Sequence, residues 1–381
     1  MRMGRRLSCS SSVVLFFLLA VLGGCGGKSG TKACFGSCGA GPSEFLYATD
    51  LNDISSFSLS AGGTPTLLGS QSGPNSTLGI VADPSGKYLY VSDFANGNVD
   101  AFAISASGGL TAITNSPFSV GSSVGGIAVD LGTKFLYVTL VNTAQVAGFS
   151  IDSTGALTPI PNSPFPAGNT PFQAIVDPTG KFLYVSNLND PMGAISAYTI
   201  DSTSGALTPV ANSPFPTQAN FPGPNGLAFG GGGKFLYVSM SGTVNWNNVV
   251  SGFSIDPSTG ALTQLANSPF PTGNNPQRVA TDPSGKFLFT ANAQDSTVSG
   301  FTIDSTSGDL SAVANSPVAL QGAPAGLVVD PTGGFLFVAN SGTSGLSVFS
   351  VNASGGVLSP IAGSPFATSQ GLTGVTVAAA Q

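Results

Sequence analysis

One short phrase recurs along the chain and fixes most of what it can fold into. Phe45-Leu46-Tyr47 returns as Tyr88-Leu89-Tyr90, Phe135-Leu136-Tyr137, Phe182-Leu183-Tyr184, Phe235-Leu236-Tyr237, Phe287-Leu288-Phe289 and Phe335-Leu336-Phe337. Between residues 47 and 337 the third aromatic recurs at steps of 43, 47, 47, 53, 52 and 48. A period in the forties, made of short β-type runs with no helical pattern, belongs to propeller blades.

Residues 172–215 show one unit. Phe172 to Val176 is an apolar run, and Asp177-Pro178-Thr179-Gly180 is a turn in which Asp, Pro and Gly each suit their place. Lys181 to Asn187 and Ala194 to Ile200 read as the second and third strands, and Ala206 to Ala211 as the fourth. Asn212-Ser213-Pro214-Phe215 then leads outwards to the next unit, its proline blunting the outer edge. Residues 45–69 supply strands two to four of a blade without a first strand, whereas Gly374 to Ala379 is a first strand with nothing after it. The fold class is therefore all-β: a seven-bladed β-propeller of four-stranded antiparallel blades over residues 44–381, closed by the C-terminal strand joining the first blade.

The start of the chain reads differently. Arg2, Arg5 and Arg6 precede the apolar run Val13 to Leu22, which is too short to span a bilayer. Residues 1–24 read as a signal peptide. Leu22-Gly23-Gly24-Cys25 resembles a lipobox, which implies acylation of Cys25, with ordinary signal cleavage as the competing reading. Arg5-Arg6 resembles a twin-arginine signal only faintly. Residues 25–43 form a Gly- and Ser-rich lipidated tether, in which Cys34 and Cys38 are spaced for a local disulfide. The expected placement is the cell envelope, on the periplasmic or outer-membrane face, with the membrane as a partner through the anchor.

Charge narrows the function classes. Without its first 24 residues the chain keeps eight Lys and Arg against 17 Asp and Glu, a surface that repels nucleic acid. Histidine is absent, which removes the commonest general base and metal ligand; no metal site or cofactor is expected, and the chain is read as a monomer. Asp83, Asp130, Asp177, Asp282 and Asp330 open the first turns, and Asp152, Asp201, Asp256 and Asp304 the later ones, where carboxylates accept local N–H groups. Asp53, Asp190 and Asp295 occupy similar loop places.

Departures from the repeat carry the candidate site. Four residues before the first-turn Asp most units have glycine (Gly79, Gly126, Gly226 and Gly326), but two have Gln173 and Arg278, the latter the only arginine after residue 6. The unit between them has the longest insertions, at 218–225 and 241–249, and the second holds Asn245 and the sole tryptophan, Trp246. Gln173, Asp190, Asn245, Trp246 and Arg278 are the candidate ligand-binding residues, placed at one mouth of the central channel. Free drift of long loops is the competing explanation.

Units such as Asp177-Pro178-Thr179-Gly180-Lys181-Phe182-Leu183-Tyr184-Val185-Ser186-Asn187, and Val250-Ser251-Gly252-Phe253-Ser254-Ile255-Asp256, resemble the bacterial β-propeller lactonase family, typified by 6-phosphogluconolactonase, with YVTN-repeat surface proteins as near relatives. In that family's enzymes a Pro-Arg-His motif opens an inner strand and an Asn-Glu pair follows strand two. Here Pro276-Gln277-Arg278 and Pro171-Phe172-Gln173 stand in the first place, and Asn292-Ala293 and Asn187-Leu188 in the second, without the histidine or glutamate. The resemblance implies lactone hydrolysis in which Arg278 would hold a carbonyl or phosphate and Asp93 or Asp50 would have to act as base. The expectation is an envelope binding or interaction module for a small sugar, lactone, glycan or protein ligand; a sugar lactonase with a rearranged site is the alternative.

Overall fold

β-branched and aromatic runs between Asp-led and Gly-ended turns give seven antiparallel sheets and no helix among the described residues. A computed structural model describes residues 44–380, apart from 75, 122, 191–193, 218–222, 242–247, 343–344 and 369. The expectations for the signal peptide, Cys25, the tether and Cys34 with Cys38 lie outside the described residues.

Blade one consists of Glu44–Thr49, Asp53–Leu59 and Pro65–Ser72, completed on its inner side by Gly374–Ala379. Glu44 pairs with Ala379 and Thr49 with Gly374, so the chain closes its ring as the repeat predicts. The innermost strands of blades two to seven are Ile80–Ala82, Val124–Val129, Pro171–Val176, Pro224–Gly230, Pro276–Thr281 and Pro324–Val329. The first-turn acids act as expected. Asp177, for example, accepts N–H groups from Thr179, Lys181 and Phe182 at 3.0, 2.7 and 2.7 Å.

The outer edge differs from the sequence expectation. In blade four the fourth strand is only Leu207–Pro209, and the chain then turns back instead of leaving: Phe215–Pro216 pairs with the start of the third strand. Between these two short pairings Ala197 N–H donates to Ser213 Oγ at 2.9 Å, just before a cis Ser213–Pro214 bond. Ser116, Ser163, Ser268, Ser316 and Ser364 accept in the same way, each at 2.9 Å. Strand three has more edge donors than a three-residue neighbour can satisfy, and the serine hydroxyl and return strand take up the remainder.

Blades are joined by aromatic rings and glycines. The first aromatic of each phrase packs on a turn glycine of the next blade. Gly205 has φ +74°, and a Cβ there would lie 2.5 Å from the Phe135 ring, so the ring needs a residue without a side chain. The third aromatic adds a hydrogen bond at the same place: Tyr47, Tyr90, Tyr137, Tyr184 and Tyr237 donate to the carbonyls of Gly108, Gly155, Gly205, Gly260 and Gly308 at 2.6–3.0 Å. Burial pushes these phenols up, so they remain donors at any ordinary pH. Phe289 and Phe337 lack the hydroxyl, and their seams rest on apolar packing. Tyr184→Phe should cost about 1–2 kcal/mol, the scale for leaving a buried carbonyl unpaired. Urea unfolding should show it as a lower midpoint with unchanged slope.

Candidate functional site

Seven inner strands converge on the channel, and their approach decides which residues fit at its mouth. A Cβ on Gly126 would lie 2.8 Å from Gln173 Cα, and one on Gly226 2.8 Å from Arg278 Cα. Glycine is thus a packing requirement at most of these positions. Gln173 and Arg278 are the two of these positions that carry a long side chain. Both lie at register shifts in strand pairing, between Pro171 and Ala174 and between Pro276 and Arg278, which the glycine-bearing blades share at Gly226 and Gly326. Such bulges re-aim side chains. The result is a cavity of about 120 Å³ lined by Gly79, Gly126, Phe172, Gln173, Arg278 and Thr373 among others.

The cavity is closed below by polar contacts. Leu227 N–H donates to Gln173 Oε1 at 2.9 Å. Gln173 also borders a second, larger chamber of about 520 Å³ with aliphatic walls that include Ile80, Ile127, Ile175 and Val328. On the blade-one side of the mouth Thr373 Oγ1 lies 2.6 Å from Thr77 Oγ1 and 3.0 Å from Thr49 Oγ1.

Arg278 dominates the electrostatics. Its Nη1 donates to Asn225 Oδ1 and, at 3.3 Å, to the Gln277 carbonyl, and its guanidinium carbon lies 5.1 Å from the Phe172 ring centre. Asn225 is itself held by Ser186, whose hydroxyl donates to the Asn225 carbonyl at 2.8 Å, and its Nδ2 donates to Ser241 Oγ at 2.9 Å. Arg278 is half-buried, and that burial pushes its pKa down to about 10, so it stays charged at neutral pH. No carboxylate stands among the described residues lining the cavity. The guanidinium has five N–H donors. Nε and Nη2 have no acceptor among the described residues.

The other candidates fall elsewhere. Asp190 does not line the cavity; its carboxylate accepts Asn169 N–H at 3.1 Å, a loop-holding role shared by Asp295, which accepts Asn274 N–H at 2.7 Å. Asn245 and Trp246 lie outside the described residues. Asp50 accepts N–H groups of Asn52 and Asp53 at 2.8 and 2.7 Å, and Asp93 accepts Asn96 N–H and Nδ2–H at 3.1 and 2.7 Å. Both acids are held in local turns, and neither lines the cavity with Arg278. Asn225, Phe172 as a ring beneath the guanidinium, and Thr373 emerge only in three dimensions; Asn225 had been visible merely as the end of an insertion.

Asp93 has a neighbouring acid. Burial first, and the charge of Asp93 second, push Asp100 up to about 6. Its Oδ2 is buried without a partner among the described residues. A carboxyl that holds its proton more tightly when folded favours the folded state most below its unfolded value near 3.8, and that advantage is lost as pH rises through about 6. Asp100→Asn should therefore gain thermal stability relative to the parent as pH goes from 4 to 7.5. Paired melting curves across that range test this.

Fold and mouth together define a seven-bladed propeller with a lone arginine at the channel entrance. The chain belongs to the family described as "Lactonase, 7-bladed beta-propeller", whose model matches residues 42–323. A 6-phosphogluconolactonase of Formosa agariphila is 32% identical over 105 residues, 28% of this chain and 29% of that protein, so the match spans under a third of the relative. Among solved structures, the periplasmic gluconolactonase of Pseudomonas aeruginosa is similar at a TM-score of 0.71 with 18% identity, over 89% of this chain and 99% of the other. A Bacteroides fragilis protein provisionally described as a 6-phosphogluconolactonase gives 0.71 with 20% identity, over 88% and 98%. At these identities the structural likeness concerns the fold.

Proposed function

We propose that the protein is an exported, lipid-anchored propeller that binds a small anionic sugar derivative at the channel mouth. One observation carries this reading: Arg278 keeps its charge at a cavity where, among the described residues, no carboxylate lines the wall and only neutral acceptors bond to it. A buried cation of this kind is best satisfied by a carboxylate or phosphate that accepts from its free fork. Thr373, whose hydroxyl borders the cavity, and the Gln173 amide suit a polyhydroxylated body. Relatives named for gluconolactone chemistry fit the same ligand class. A lactonase is the second reading, supported by family membership; against it, no residue lining the described mouth is a general base.

Calorimetric titration with 6-phosphogluconate and gluconate separates the cases. Binding should weaken by about 10- to 100-fold in Arg278→Met, the scale for losing charge-assisted hydrogen bonds. Unchanged affinity in that variant would sink the site. Turnover of gluconolactone or its 6-phosphate above background in a pH-stat, lost in Arg278→Met, would replace the binding reading with the lactonase one. For the anchor, Cys25→Ser should abolish labelling by radioactive palmitate and move the protein from the membrane to the soluble fraction; unaltered fractionation would favour ordinary cleavage.

A further inference from the structure

Each blade presents the free edge of its innermost strand to the channel. Along such an edge every second N–H points away from the partner strand. In blade two Ser92 N–H donates to the Gly79 carbonyl and Asp83 N–H to the Tyr88 carbonyl, both at 2.9 Å, which turns Ile80 N–H to the channel. The matching bonds of Asp130, Asp282 and Asp330 to the carbonyls of Phe135, Phe287 and Phe335 turn Ile127, Val279 and Leu327 the same way. Val375, which follows Gly374 in the closing strand, holds that place in blade one. These residues all line the cavity with Arg278. Their N–H groups have no acceptor among the described residues.

Glycine at the mouth leaves these donors uncovered. A Cβ on Gly79 would lie 3.0 Å from Ile127 N, one on Gly226 2.9 Å from Val279 N, and one on Gly326 3.4 Å from Val375 N. Gln173 takes the equivalent position in blade four, and its Oε1 accepts the next blade's N–H, that of Leu227, at 2.9 Å. The chain itself thus shows what the space over such a donor accommodates: an oxygen acceptor. Neighbouring carbonyls are already engaged. Those of Phe172 and Asn225 accept the Thr139 and Ser186 hydroxyls at 3.0 and 2.8 Å, and that of Gln277 accepts Arg278 Nη1 at 3.3 Å. Backbone donors that converge from several sides beside a guanidinium favour an anion.

We propose that the N–H groups of Ile127, Val279 and Val375 join Arg278 in one subsite for a tetrahedral oxyanion, a phosphate or sulfate group, and that Gln173 occupies the corresponding acceptor position in blade four. This rests on the reading of Arg278 as an anion-binding residue and adds the donors that hold the group. A tetrahedral group offers acceptors to several blades at once, which a planar carboxylate does not.

Calorimetric titration with inorganic phosphate, sulfate and acetate tests this. The parent should bind phosphate and sulfate more tightly than acetate. Gly326→Gln sets over Val375 N–H the amide that Gln173 sets over Leu227, and its Cβ would meet nothing closer than 3.2 Å. Phosphate binding should weaken by about 10-fold, the scale of one charge-assisted hydrogen bond. Gln173→Gly uncovers Leu227 N–H and should tighten phosphate binding by about fivefold. Urea midpoints show whether each variant folds; if Gly326→Gln does not, Gln173→Gly decides. Unchanged phosphate affinity in the folded variants, with loss confined to Arg278→Met, overturns the backbone subsite and leaves the Arg278 reading standing. A parent that binds neither phosphate nor sulfate overturns the subsite as well, while 6-phosphogluconate titration judges Arg278 separately. Responses in Gly326→Gln and Gln173→Gly beside an unaffected Arg278→Met would remove the Arg278 reading and the joint subsite with it.

Discussion

The contact between one blade's leading aromatic ring and a glycine of the next blade is the constraint on which the rest of the structure depends. It recurs at all seven seams, from Phe45 on Gly108 to Phe335 on Gly63, the ring lying where a Cβ would otherwise stand. Such close approach sets the spacing of the blades. That spacing brings the inner strands so near one another that glycine becomes necessary at Gly126 and Gly226. The mouth is therefore a by-product of seam packing. The side chains that face it from this position are Gln173 and Arg278, the two breaks in the ring of glycines.

The allocation of charge follows the same economy. First-turn acids such as Asp83 and Asp282 are saturated by backbone donors at 2.6–3.0 Å. Later-turn acids are exposed and held low by the same means; Asp256 is brought to about 2 chiefly by the Ser258 hydroxyl. With those carboxylates committed to turns, none reaches Arg278. The exceptions to this economy are carboxyls pushed upward by burial, Glu44 and Asp100, and both stand where a blade departs from the common residue. Blade five shows a neutral form of the same departure. Met240 stands where blade six has Asn292, which bonds Ser299 at 2.9 Å, and the corresponding Ser251 hydroxyl has no partner among the described residues.

Blade number, ring closure and the use of the turn acids were legible in the sequence because each is written several times in local patterns. Gln173 and Arg278 were legible for the opposite reason, as breaks in a register otherwise held by glycine. The return of Phe215–Pro216 to its own blade was not, since Asn-Ser-Pro-Phe reads as a linker until strand three's spare donors are counted in space. The Tyr184 hydroxyl bond to Gly260 spans 76 residues, and Asn225 meets Arg278 across 53; no local pattern signals either. The Asp190 carboxylate accepts from Asn169, a contact across 21 residues that no local pattern signals.

Glu44 pairs with the last residues of the closing strand, and Thr49 with Gly374, which borders the Arg278 cavity. The chain thus enters the propeller at the end of the channel away from the arginine. The rim with Arg278 therefore opens at the opposite end of the channel from Glu44, and the aliphatic chamber, bordered by Val375 and Thr376 of the closing strand, lies on the Glu44 side of the arginine cavity.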